Sequence, residues 1–74
     1  MNALSLRGVL AANLRRLKRH QRLTVEQLGA RAGLGKNTVQ RAIHGDTGPS
    51  VDTVESLAKG LNVEPWRLLK PDGP

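Results

Sequence analysis

An all-α fold, a compact bundle of five helices, is what the 74-residue sequence predicts, and three observations predict it. Leucines recur at helical spacing, as in Leu6, Leu10, Leu14 and Leu17. Residues that start or stop helices punctuate the chain at Thr24, Gly33, Gly45, Pro49-Ser50 and Asn62. No strand-like alternation, internal repeat or low-complexity segment interrupts this pattern. The hydrophobic share is 38%, Trp66 is the one aromatic residue and there is no Cys, so a core of Leu, Val and Ala must hold without disulfides or thiolate-bound zinc. The length suits one domain over residues 1–70, with 71–74 a short tail.

Each element has a local reason. The first helix runs from Leu6 to about Gln21, its leucine stripe inward, with Arg15, Arg19 and Arg22 together on the far side, open to phosphate or to solvent alone. Thr24-Val25-Glu26-Gln27 matches a capping box that opens the second helix, with Leu23 and Leu28 flanking it as a staple. That helix stops near Ala32, because Gly33 tolerates the left-handed conformation that ends helices. The third lies between Gly35 as N-cap and Gly45 as stop. "DTGPS" forms a loop, Ser50 caps the fourth helix, and Asp52 suits its positive end. Val51, Val54, Leu57, Ala58 and Leu61 form its inner face, and Asn62 ends it. Glu64 to Leu69 makes a short fifth helix with Pro65 at its first position, after which Pro71 prevents continuation. Trp66 is read as packing this helix on the core, with an exposed dimer anchor as the other reading; of Leu68 and Leu69, one helical face buries only one well.

Charge narrows the function. Residues 1–45 hold nine Lys and Arg against one acid, Glu26, a charge of +8; residues 46–74 hold three bases and five acids, a charge of −2. A one-sided positive field points to a polyanion, nucleic acid or an acidic membrane surface, against the blander reading of a solvated basic face. No apolar run approaches the ~18–20 residues that cross a bilayer, and "MNALSLRGVLAANL" is too polar and broken for a signal peptide. A cytoplasmic protein is expected, without membrane insertion.

The segment "GLGKNTVQRAIHG" is the most informative. At 100° per residue, Lys36, Gln40, His44, Asn37 and Arg41 fall on one arc of roughly 140°, with Val39 and Ala42 opposite. Such a helix buries little and presents donors and acceptors, as a helix in a DNA major groove must. Only "GLG" joins it to the second helix, small residues stand at Gly29 and Gly33, and Leu34 and Val39 can fill the angle between the two. This is a helix-turn-helix arrangement, spanning 24–45.

Leu23 to Leu69, "LTVEQLGARAGLGKNTVQRAIHGDTGPSVDTVESLAKGLNVEPWRLL", resembles the phage-repressor type of helix-turn-helix domain, the Cro/repressor or XRE-like family. The resemblance rests on the capped "LTxxxL", Gly29, Gly33, Thr38-Val39, Gly45, Pro49 and "LAKGLNV" in this order, and implies a lambda-repressor-like fold. It further implies sequence-specific binding of double-stranded DNA by a regulator of repressor type, acting as a homodimer at least on DNA. By position, Lys36, Asn37 and Arg41 face base edges with Gln40 beside them. Thr38, His44, Thr47, Ser50 and the N–H around Val25 meet the DNA backbone. Three residues depart from the pattern: Val25 stands where many relatives have a phosphate-gripping Gln, Ile43 where many have a Glu paired to the position of Lys18, and Gly29 where Ala is usual, weakening the second helix by up to about 1 kcal/mol.

Other chemistry lacks support. His20 and His44 have no Cys partner and no matched ligand at i+3 or i+4, so no metal is expected; nor is any other cofactor. Ser5, Ser50 and Ser56 have no His-acid motif and no Walker-type loop is present, so the chain is not read as an enzyme. Two alternatives stay open: a protein-binding module on the same fold, as in an antitoxin or anti-repressor, and adsorption of the first helix to acidic membranes.

Overall fold

The computed structural model describes residues 5–71, and five helices are present there. They are α1 (Leu6–His20), α2 (Val25–Ala32), α3 (Lys36–His44), α4 (Val51–Leu61) and α5 (Pro65–Leu68). The ends follow the local chemistry of the sequence. The Thr24 hydroxyl accepts from the Gln27 N–H at 3.0 Å while the Gln27 side chain accepts from the Thr24 N–H at 2.8 Å, completing the capping box of α2. Ser5 caps α1 by accepting from the Gly8 N–H, and Ser50 caps α4 by accepting from the Thr53 N–H. Gly33 (φ 71°), Gly45 (φ 76°) and Asn62 (φ 59°) take the left-handed conformation after α2, α3 and α4. Arg22 does so too, at φ 58° after α1, where nothing in the sequence signals it.

One core joins all five helices. Leu14, Leu28, Val39, Leu57, Leu61 and Leu68 are each fully buried in it. A leucine taken wholly out of water contributes ~1.5–3 kcal/mol, so these side chains dominate stability. α2 packs chiefly on α4 and α1 on α3, while α2 and α3 meet at the helix-turn-helix. α3 is therefore gripped on its narrow apolar side and open on the other.

Three expectations about burial are corrected. Leu6, Val51 and Trp66 are 58%, 77% and 57% exposed, although the pattern placed them inward. Each stands in the first turn of its helix, and helical side chains lean toward the N-terminus, so these three overhang the end of the core. Leu68 rather than Leu69 enters the core, and Leu69 is the C-cap of α5.

Gly29 serves contact, and Gly45 serves both contact and conformation. A Cβ on Gly29 would lie 2.7 Å from the Leu34 carbonyl oxygen, so the missing side chain that weakens α2 also lets the turn close, with the Leu34 N–H donating to the Gly29 carbonyl at 2.8 Å. At Gly45 a Cβ would meet the Ala11 Cβ at 3.2 Å. Gly45→Ala combines that contact with a left-handed backbone, and is expected to cost about 2 kcal/mol. The check is a lower urea midpoint at unchanged slope; an unaltered midpoint would refute it.

Candidate nucleic-acid interface

α3 carries both its anchor and its outward face within nine residues. Val39, Ala42 and Ile43 are buried, Thr38 and Gln40 half-buried, and Lys36, Asn37, Arg41 and His44 exposed. The four exposed side chains all belong to the arc deduced from helical periodicity. At 1.5 Å per residue the helix spans about 13 Å, similar to the ~12 Å width of a DNA major groove.

The ends of this face differ electrostatically. At the α2 end, Lys36 Nζ lies 3.1 Å from Glu26 Oε2, and both side chains are more than half exposed. Lys36 opens α3, where the helix dipole disfavours a cation and Gly35 offers no capping side chain, so Glu26 compensates locally. The Glu26 carboxyl is held below its ordinary range, first by its own backbone N–H, then by Lys36, with the Thr24 hydroxyl adding to this against slight desolvation. A lowered carboxyl pKa means the pairing is present above the ordinary carboxylate range and is lost as acid drives pH through the lowered value. Glu26 thus sits over the positive end of α2, where Val25 presents its N–H. The Val25 side chain packs against the core and offers nothing to a ligand.

At the other end, the loop after α3 adds a second wall. Thr38, Arg41, Thr47, Pro49 and Thr53 line a shallow groove of about 130 Å³ beside α3. Three expected contact residues, Thr38, Arg41 and Thr47, are brought together there, and Thr53 joins them although no local sequence signal marked it. Ser50 is less free than expected. Its hydroxyl accepts from the Thr53 N–H at 3.1 Å and donates to Thr53 Oγ1 at 3.0 Å, leaving its backbone N–H as its open donor.

The basic far side of α1 is not uniform. Arg15 Nη1 donates to the Ile43 carbonyl at 2.7 Å, so this guanidinium is tied to α3, whereas Arg19 and Arg22 are exposed. Lys18 Nζ donates to the Leu23 carbonyl at 3.3 Å, and Ile43, lacking an acid to offer it, joins the core.

Two helices joined by a glycine turn, the second held by three apolar residues and open along its polar arc, define a helix-turn-helix unit. Comparison with known proteins gives the same class. The helix-turn-helix domain family matches residues 9–68, and the chain belongs to it. It is 31% identical over 68 residues to an uncharacterized HTH-type transcriptional regulator, y4dJ, of Sinorhizobium fredii, covering 92% of this chain and 88% of that protein. A crystal structure of the hypothetical transcription factor NHTF from Neisseria superimposes with a TM-score of 0.88 at 26% identity, over 97% of this chain and 83% of that one.

Proposed function

We propose that the protein binds double-stranded DNA sequence-specifically as a cytoplasmic transcriptional regulator of repressor type, of the Cro/C1 kind, with α3 in the major groove. The observation that carries this reading is the exposure of Lys36, Asn37, Arg41 and His44 along one side of a helix whose other side is buried. The positive charge of the first 45 residues and the regulator names of the two relatives support it. Arg41 and Lys36 suit guanine, Asn37 suits adenine, and Gln40 lies beside them. Thr38, His44, Thr47 and the N–H groups of Val25 and Ser50 hold phosphates.

So small a reading surface needs two copies on half-sites about one DNA turn apart. The exposed Leu6, Val51 and Trp66 line one apolar groove of about 540 Å³, which supports a homodimer seated there. The test is selection of bound duplexes from a random pool. Enrichment of a two-fold symmetric sequence, bound with affinity that falls steeply with salt, is expected. A pool that stays random would sink the reading in favour of a protein-binding module, which the Glu26 carboxylate over the α2 end favours.

That carboxylate gives a prediction of unusual sign. Glu26→Gln removes a negative charge beside the expected phosphate and releases Lys36, so duplex affinity is expected to rise several-fold, measured by fluorescence anisotropy at fixed salt. A loss of affinity would show that Glu26 instead holds Lys36 in its working position.

A further inference from the structure

We propose that α1 fixes the tilt of α3 through a row of three residues, Arg7, Ala11 and Arg15, and that Arg15 is a positioning residue for recognition rather than a DNA contact. Its recognition half rests on the DNA-binding reading above. The three residues are spaced i, i+4 and i+8, so they share one face of α1. Arg15 Nη1 donates to the Ile43 carbonyl at 2.7 Å, and Arg7 Nη1 donates to the Asp46 carbonyl at 3.2 Å. Between them Ala11 lies against Gly45, close enough that a Cβ there would be 3.2 Å from its own.

The chemistry suits both groups. The last carbonyls of a helix have no intrahelical donor and form its negative pole, and Ile43 contributes one of them in α3. A guanidinium at that pole gains a charge-assisted hydrogen bond and loses little hydration, since Arg15 keeps an exposed surface. The two carbonyls lie on either side of Gly45, where the chain leaves α3 in a left-handed turn. The opposite end of α3 has no side-chain cap, because its N-cap is Gly35. α3 is thus fastened at its C-terminal end by α1, whereas the side-chain tie at its Lys36 end is the solvent-exposed pair with Glu26, so that end swings further. A tilt of about 5° about the fastened end moves Lys36 by about 1 Å, enough to spoil hydrogen bonds to base edges.

The experiment compares the full chain with Arg15→Met, which keeps an apolar stem and removes the donors. Two readouts are taken: affinity for the selected duplex and a scrambled one across a salt series, and amide exchange along the chain. The ratio of selected to scrambled affinity is expected to fall roughly fivefold or more, with the slope of log affinity on log salt unchanged. Exchange at residues 42–46 is expected to quicken about tenfold while Leu57 and Leu61 in α4 keep their protection, which shows the fold intact. An unchanged ratio would overturn the proposal. So would a slope smaller by about one with the ratio intact, the mark of a lost phosphate contact. Should the parent chain discriminate no duplex, the DNA reading fails by itself. Exchange still decides the tether, and unchanged rates at 42–46 overturn it.

Discussion

Arg41→Ala is expected to lower affinity for the selected duplex roughly ten- to a hundredfold while leaving affinity for scrambled DNA within about threefold, because a bidentate Arg–guanine pair discriminates by ~1–3 kcal/mol. Arg41 is exposed on the polar arc of α3, and its side chain borders the groove shared with Thr38 and Thr47. Its fork can therefore engage a base edge while the neighbouring threonines hold the backbone. Asn37→Ala should behave the same way, with relaxed preference at an adenine. Arg19→Ala is the contrast: exposed on α1, it should weaken every duplex alike or none. Stability should change by no more than ~0.5 kcal/mol in each, since no core side chain is touched. Binding selections repeated with the variants measure this directly. If Arg41→Ala and Arg19→Ala act equally on all sequences, only nonspecific charge binds DNA and α3 reads nothing.

What the sequence disclosed divides by distance along the chain. Caps at Thr24, Ser50, Gly33, Gly45 and Asn62 act within four residues, so their chemistry is visible locally, and each lies at an observed helix end. Leu10, Leu14 and Leu17 repeat within a few turns and are buried as their spacing implies. The polar arc of α3 is legible for the same reason: Lys36, Asn37, Arg41 and His44 are exposed, while Gln40 is half-buried. The apolar residues in first turns were not, because burial of Leu6, Val51 and Trp66 depends on whether a neighbouring element extends beyond them. The tie from Arg15 to Ile43 spans 28 residues, and the periodicity of α1 says only that Arg15 lies off the leucine stripe. The pairing of Lys36 with Glu26 depends on the angle between α2 and α3, which side-chain pattern leaves undetermined.

Asn13 is the sharpest instance. It lies on the buried side of α1 among Leu10, Leu14 and Leu17, and is 1% exposed. Its amide donates to the carbonyls of Leu68 at 2.7 Å, Lys70 at 3.0 Å and Arg67 at 3.3 Å, while its Oδ1 accepts from Arg16 at 2.8 Å. One side chain on α1 thereby serves the end of α5, a helix of four residues whose C-cap, Leu69, has no side-chain donor to give those carbonyls. Asn13→Leu preserves much of the volume and removes every one of these bonds. Leaving the buried Leu68 carbonyl and the part-buried Arg67 and Lys70 carbonyls without this donor costs ~1–3 kcal/mol for the buried one and less for the others, not additively, so a loss of about 3 kcal/mol is expected. Domains of this size have only ~4–11 kcal/mol, and the thermal midpoint should fall by roughly 10–20 °C. Trp66, the one tryptophan, lies on α5 and reports its release separately from the helix signal of the whole chain. In Asn13→Leu its emission should shift at lower urea than the circular dichroism at 222 nm, whereas the two coincide in the parent chain. Coincident, unshifted transitions in the variant would mean that Leu68 alone holds α5 down and that the buried amide is dispensable.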